Sequence, residues 1–133
     1  MKPSEPTAPY EAPGDLRVFN LPGGWTVLAG KTESANDRLS LKLAGPNDWW
    51  FHVRGMPGSH VLLRVPPGAE PQRAVLKQAA AIAAYHSKAR QGGVVGVAGT
   101  RARFVTKPPG AKPGTVAIRR ETIFKVRPAL PDE

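Results

Sequence analysis

The feature that most constrains this chain is how often it is interrupted: 15 prolines and 14 glycines are spread through 133 residues. Each proline fixes φ and removes a backbone donor, and each glycine weakens a regular element. A bundle of long helices is therefore excluded, and many turns and connections are expected. One segment escapes, opening at Glu70-Pro71 and running to about Arg90 before Gly92-Gly93. Proline suits a first helical turn and glycine a helix end, so this segment predicts one long helix. Val75, Ala79, Ile82 and His86 recur there at helical spacing, and its alanines allow close approach to a sheet.

The remaining apolar runs are short and read as strands. Residues 16–19 and 25–29 flank Asn20-Leu21-Pro22-Gly23-Gly24 and predict two strands around a turn. Asn36 or Asp37 can cap a short helix on which Leu39 and Leu43 share a face, ending near Gly45-Pro46. Residues 49–54 alternate, with Trp49, Phe51 and Val53 on one side and Trp50, His52 and Arg54 on the other. Met56-Pro57-Gly58-Ser59 reads as a type II turn with Gly58 at positive φ, leading into a strand over 60–65. Further strands are expected over 94–98, 101–106, 115–118 and 122–126. The sum is a single α+β domain with a mixed, mainly antiparallel sheet, one long helix and one short helix. Its expected limits are 15–128, after a disordered Pro-rich leader over 1–14 and before a tail over 129–133. The leader has Pro3, Pro6, Pro9 and Pro13 but no apolar run, so it reads as neither signal peptide nor membrane span. The absence of cysteine excludes disulfides and thiolate metal sites, and fits a cytoplasmic protein.

Charge placement is the first clue to function. Residues 1–46 hold five basic and five acidic side chains, whereas residues 47–133 hold 14 basic against five acidic, so the whole net charge of +9 lies in the second part. Lysines and arginines concentrated this way are the expected footprint of a polyanion partner, because neutralising phosphates releases condensed counterions.

Three constellations could carry a function. If residues 49–54 and 60–65 pair around the turn with Arg54 opposite His60, His52 opposite Leu62 and Trp50 opposite Arg64, one sheet face carries Trp50, His52, Arg54, His60 and Arg64. Such groups stack on unpaired bases and contact phosphates. Alternatively, Trp50 is core and the histidines are satisfied by backbone groups. On the long helix Arg73, Lys77 and Lys88 fall on one side and form a basic stripe, or simply a solvated face. Lys107-Pro108-Pro109-Gly110-Ala111-Lys112-Pro113-Gly114 is a stiff loop with two lysines, able to neutralise phosphate or to act as an ordinary connection. His52 and His60 with Ser59 and Asp48 could be imagined as an acid and base pair or as metal ligands. No G-x-S-x-G, HExxH or paired-carboxylate pattern accompanies them, so a non-enzyme without metal or cofactor is expected.

Asn47-Asp48-Trp49-Trp50-Phe51-His52-Val53-Arg54 with Pro57-Gly58-Ser59-His60-Val61, then Ala83-Ala84-Tyr85-His86-Ser87-Lys88-Ala89-Arg90, then the loop from Lys107 to Gly114, resemble the NFACT-R domain in order and spacing. Gly30-Lys31 followed by Asn36-Asp37-Arg38-Leu39 is similar to the family's upstream segment, so the resemblance covers residues 16–128. It implies an RNA-binding α+β domain, usually the C-terminal part of ribosome quality-control factors that engage the large subunit and recruit tRNA. Neither the NFACT-N domain nor the coiled coil of those factors is recognisable, and the chain resembles a stand-alone member to which their tailing activity is not carried over. The motifs point to Asp48, His52, Arg54, Ser59 and His60 in the hairpin, with Pro57 and Gly58 shaping its turn. They also point to Ser87, Lys88 and Arg90 at the helix end, and to Lys107 and Lys112 in the loop that Gly110 and Gly114 bend. The sequence departs from the family at Val97-Ala98-Gly99-Thr100-Arg101, where many members have Asp-Tyr before the threonine.

The expected function is binding of structured RNA, either tRNA or ribosome-associated RNA on the large subunit, in ribosome quality control or tRNA processing, with no membrane role. The expected site is Asp48, Trp50, His52, Arg54, Ser59, His60, Arg64, Lys77, Lys88, Arg90, Lys107 and Lys112. The competing expectations are a small RNA-modifying or hydrolytic enzyme using His52 and His60, and a protein-interaction module of an RNA-processing complex.

Overall fold

The computed structural model describes residues 14–131. Two strands, β1 (Leu16–Leu21) and β2 (Trp25–Gly30), form a hairpin in which Phe19 pairs with Val27. A short helix α1 (Glu33–Arg38) follows and runs into one π-helical turn over Leu39–Leu43. Then come β3 (Trp49–Val53), β4 (Val61–Leu63), the long helix α2 (Arg73–Tyr85) and β5 (Val95–Arg101). A 3₁₀ turn (Ala102–Phe104), β6 (Val105–Thr106), β7 (Ala117–Ile118) and β8 (Thr122–Val126) complete the chain. Six strands make one sheet in the order β1-β2-β4-β3-β5-β8, and β6 and β7 make a separate small ribbon. Every ladder among them is antiparallel. This is the single α+β domain expected, with its one long and one short helix.

The central strands are buried on both sides, which explains their continuous apolar character. Val27, Ala29, Phe51, Val61, Leu63, Val97 and Phe124 face α2, which meets them with Leu76, Ala79, Ala80, Ile82, Ala83 and Ala84. Leu16, Leu28 and Leu62 face the opposite way, under Ala35 and Leu39 of the short helix. Side-chain alternation on β3 therefore sends Phe51 and Val53 to the first layer and Trp50 to the second.

Five local expectations are corrected. The short helix is capped by Thr32, whose Oγ1 accepts from Ala35 N at 3.0 Å; Asn36 and Asp37 lie inside the helix, where their side chains are committed elsewhere. The central pairing sets Trp50 against Leu62 and Phe51 against Val61, two residues from the expected register. The shift is even, so each side chain keeps its face. The positive φ belongs to Gly55 rather than Gly58, because the chain opens into a wide loop instead of a tight turn. The long helix stops at Tyr85, five residues early, where the chain leaves to pair with the hairpin loop; Lys88 thus departs from the helical stripe of Arg73 and Lys77. The strand expected over 101–106 is also broken: β5 ends at Arg101 and a 3₁₀ turn precedes β6. Of the leader over 1–14 only Gly14 lies within the described residues, and of the tail only residues 129–131 do. Among the described residues, no helix is long and apolar enough to cross a membrane.

Candidate nucleic-acid interface

The signature hairpin loop is fastened to the exit of α2 by backbone. Ser59 N donates to His86 O at 2.9 Å, Lys88 N donates to Pro57 O at 3.2 Å, and Gly58 bridges to Ser87. A Cβ on Gly58 would stand 2.7 Å from Ser87 Cβ, so the close approach requires glycine there for lack of space, not for φ. Ser87 Oγ donates to Ala84 O at 2.7 Å and accepts from Ala89 N at 3.0 Å, which turns the chain sharply out of the helix. The hairpin is also fastened to the end of β2. Ser59 Oγ donates to Gly30 O at 2.6 Å, and Asn36 Oδ1 accepts from His60 N at 3.0 Å while lying against Gly30, where a Cβ would collide with it.

These ties surround an open cleft of about 500 Å³, bordered by the end of β2, the start of α1, the hairpin loop and the α2 exit. Arg17, Lys31, Lys88 and Arg90 supply four cations to its walls, against the single carboxylate of Glu33. Arg90 is fixed by stacking on Tyr85, 4.0 Å from the ring centroid, with its Nε donating to Tyr85 O at 2.7 Å. A guanidinium held this way keeps its outer donors free in a fixed plane. His86 registers the local field: burial first, then the positive charges of Arg17 and Arg90, push its pKa down to about 4. Its imidazole is accordingly neutral at pH 7.

Of the site residues expected from sequence, Ser59, Lys88 and Arg90 meet at this cleft, with Pro57 and Gly58 shaping its rim. Arg54 is exposed on the hairpin loop, anchored by its N–H donating to Gly96 O. Three others are interior. Asp48, Trp50 and His60 are each only 3% exposed, so the aromatic surface expected on that sheet face is covered by the short helix. Asp48 instead ties the loop before β3 to the segment after β4: its carboxylate accepts from Gly45 N and Val65 N and pairs with Arg64 at 3.1 Å. Arg64 is consequently held at the end of the sheet away from the cleft. Trp50 Nε1 donates to Ser40 Oγ, and Ser40 Oγ is 2.9 Å from His60 Nδ1. Since an indole only donates, the arrangement satisfying all three groups has Ser40 donating on to His60. Burial and the neighbouring His52 push the pKa of His60 down to about 4, and burial lowers that of half-buried His52 as well. Both are neutral spacers in the core at pH 7.

Lys77 stands exposed on α2, apart from the cleft. Lys107 is committed to Asp37, with Nζ 2.9 Å from Oδ2, and also donates to Lys112 O. Gly114 N donates to Asp37 Oδ1 at 2.9 Å, and Gly114 and Gly110 both take positive φ, as a bent connection requires. The loop thus lies on α1 beside the cleft and leaves Lys112 exposed. Arg17 and Lys31 were not anticipated. Their signal lay in the hairpin register: Arg17 pairs with Ala29, so both cations emerge at the same end of the β1-β2 pair. Among the described residues, no cluster of acidic, histidine or cysteine side chains could hold a metal ion.

The model of the NFACT protein RNA-binding domain matches residues 16–120. The chain is 40% identical over 110 residues to the Rqc2 homolog RqcH of Bacillus subtilis and 39% identical over 112 residues to that of Streptococcus suis. The alignments cover 82% and 84% of this chain but 19% and 20% of those proteins, so the chain spans about a fifth of the curated relatives it matches. The fold is similar to the C-terminal region of the fibronectin/fibrinogen-binding protein from Streptococcus suis, with a TM-score of 0.80 and 35% identity over 90% of this chain and 47% of that one. With the family model matching most of its length and two relatives 40% and 39% identical over more than four fifths of it, the chain belongs to the NFACT protein RNA-binding domain family.

Proposed function

We propose that this chain is a non-catalytic RNA-binding module that grips the backbone of structured RNA, tRNA or ribosome-associated RNA, in the cleft between the hairpin loop and the α2 exit, within ribosome quality control. The observation that carries the reading is the convergence of Arg17, Lys31, Lys88 and Arg90 on one rigid, backbone-clamped cleft in a member of an RNA-binding family. Phosphate contacts of this kind supply affinity and position without reading sequence. Exposed Arg54 and Lys112 extend the positive surface around it. The relatives named for Rqc2 support the quality-control context. The enzyme alternative is disfavoured by the same geometry, since His60 is sealed in the core and its partner is Ser40.

The test is anisotropy of labelled tRNA titrated with the protein at several salt concentrations. Replacing Lys88 and Arg90 together with Glu lowers affinity at least tenfold and reduces the log–log salt slope by roughly 0.7–0.9 per lost phosphate contact. An unchanged slope would remove the cleft from the interface. Incubating the same tRNA with wild-type protein leaves it chemically intact, whereas turnover abolished by His52→Ala would establish the catalytic alternative.

A further inference from the structure

A second group of cations lies at the other end of the sheet. Around the ring of Phe104, in the 3₁₀ turn, the guanidinium carbons of Arg103, Arg119 and Arg120 stand 5.0, 5.6 and 5.4 Å from the centroid. All three arginines are exposed, and among the described residues none pairs with a carboxylate. Nearby Arg101 provides the contrast, since it is paired with Glu70 at 2.9 Å.

The cluster is held in shape by specific hydrogen bonds. Arg103 donates to Asn47 Oδ1 at 3.0 Å, and Arg119 N donates to Phe104 O at 3.1 Å. Thr100, 1% exposed, donates from Oγ1 to the carbonyl oxygens of Arg119 and Arg120, at 2.7 and 3.3 Å. Arg120 has a φ of 58°, the only non-glycine positive φ among the described residues. A left-handed arginine costs free energy and persists only where its surroundings impose it. Three like charges gathered on one ring, without an ion-pair partner among the described residues and held by a constrained turn, form a receptor for a polyanion.

We propose that Arg103, Arg119 and Arg120 form a second phosphate-gripping site for the RNA whose backbone enters the cleft, a proposal that rests on the RNA-binding reading above. Trp49 pairs with Arg101 at the cluster's end of β3, whereas the hairpin loop leaves from the other end. The five residues of β3, spanning about 13 Å from first to last, lie between the two sites. A ligand that meets both is extended or folded RNA, not a single nucleotide. The groove beside Arg103 exposes one large apolar side chain, Leu41, far less than the apolar centre of a protein interface. Planar guanidinium forks suit phosphate, and their faces accept stacked bases.

The test again uses tRNA anisotropy with the whole chain. The triple variant Arg103→Gln, Arg119→Gln, Arg120→Asn removes the charges while asparagine tolerates the positive φ. The expected result is an affinity loss of at least tenfold and a lower salt slope, with an unchanged circular dichroism spectrum. Wild-type binding together with unchanged affinity and slope in the triple variant overturns the second site and leaves the cleft reading standing. Failure of the wild type to bind tRNA overturns both. As a check independent of variant folding, phenylglyoxal modification of wild-type protein read by mass spectrometry shows Arg103, Arg119 and Arg120 shielded by tRNA. Shielding by polyglutamate but not by tRNA assigns the cluster to an acidic protein and overturns the proposal.

Discussion

Ser40 illustrates how a residue with no obvious role in the sequence can organise a site. Its hydroxyl stands between Trp50 Nε1 and His60 Nδ1, both 2.9 Å away, in a buried layer with no other donor or acceptor assigned to these atoms. Ser40→Ala leaves an indole N–H and an imidazole nitrogen unpartnered in low dielectric, a loss of about 1–3 kcal/mol. Urea unfolding measures it; a variant within about 0.5 kcal/mol of wild type would show that water replaces the hydroxyl, since surface-like tolerance is the alternative. Because the network lies beneath the cleft rather than in it, tRNA affinity of the folded variant stays within about twofold of wild type, a difference under 0.5 kcal/mol.

At the scale of elements, the reading from sequence succeeded wherever burial follows a simple period. The alternation of Trp49, Phe51 and Val53 against Trp50 and His52 survives intact, because a strand's faces are fixed by parity whatever its neighbour. What parity does not encode is which layer is covered. The short helix lies over Trp50 and His60 because Asn36 hydrogen-bonds His60 N across Gly30, a contact 24 residues apart. The same limit hid the true end of α2: Ser87-Lys88-Ala89-Arg90 has good helix formers, but the hairpin loop captures its backbone. The clamp is therefore tertiary, and it predicts the behaviour of Gly58→Ala. The added methyl meets Ser87 at 2.7 Å and separates loop from helix exit. Overpacking of this kind costs about 1–3 kcal/mol. Hydrogen exchange is expected to show faster exchange at the Ser59 and Lys88 amides, with the β3-β5 ladder unchanged, and tRNA binding reduced as Lys88 and Arg90 lose their fixed position. Retained protection at both amides would mean that the clamp yields without opening.

For the molecule as a whole, the buried histidines set the acid limit of stability. His60 is buried beside His52, with Asp37 and the backbone of Asn36 and Gly114 opposing the downward shift only in part, so its pKa falls from 6.5 to about 4. The unfolded chain takes up this proton below about pH 6.5, whereas the folded chain resists until about pH 4. Stability from this group is thus complete above pH 6.5 and lost progressively as pH falls to 4, on the order of 3 kcal/mol. His86 acts in the same direction, discounted because its ring borders solvent at the cleft. Asp37, whose burial is outweighed by Lys107 and the Gly114 N–H, keeps a lowered pKa, as does Asp15 beside Arg38. Their contribution is present above the usual carboxylate range and disappears only below it, so the two processes are separated in pH. Neutralising carboxylates in a chain that already carries +9 also increases self-repulsion. Thermal melts are therefore expected to be flat from pH 8 to 7, to fall from pH 6.5 downward and to steepen below 4. His60→Gln, which cannot take up the proton, lowers stability at pH 8 but flattens the decline between 6.5 and 4. A wild-type midpoint constant across that interval would place His60 in contact with water and undo the buried network from which the whole covered face is built.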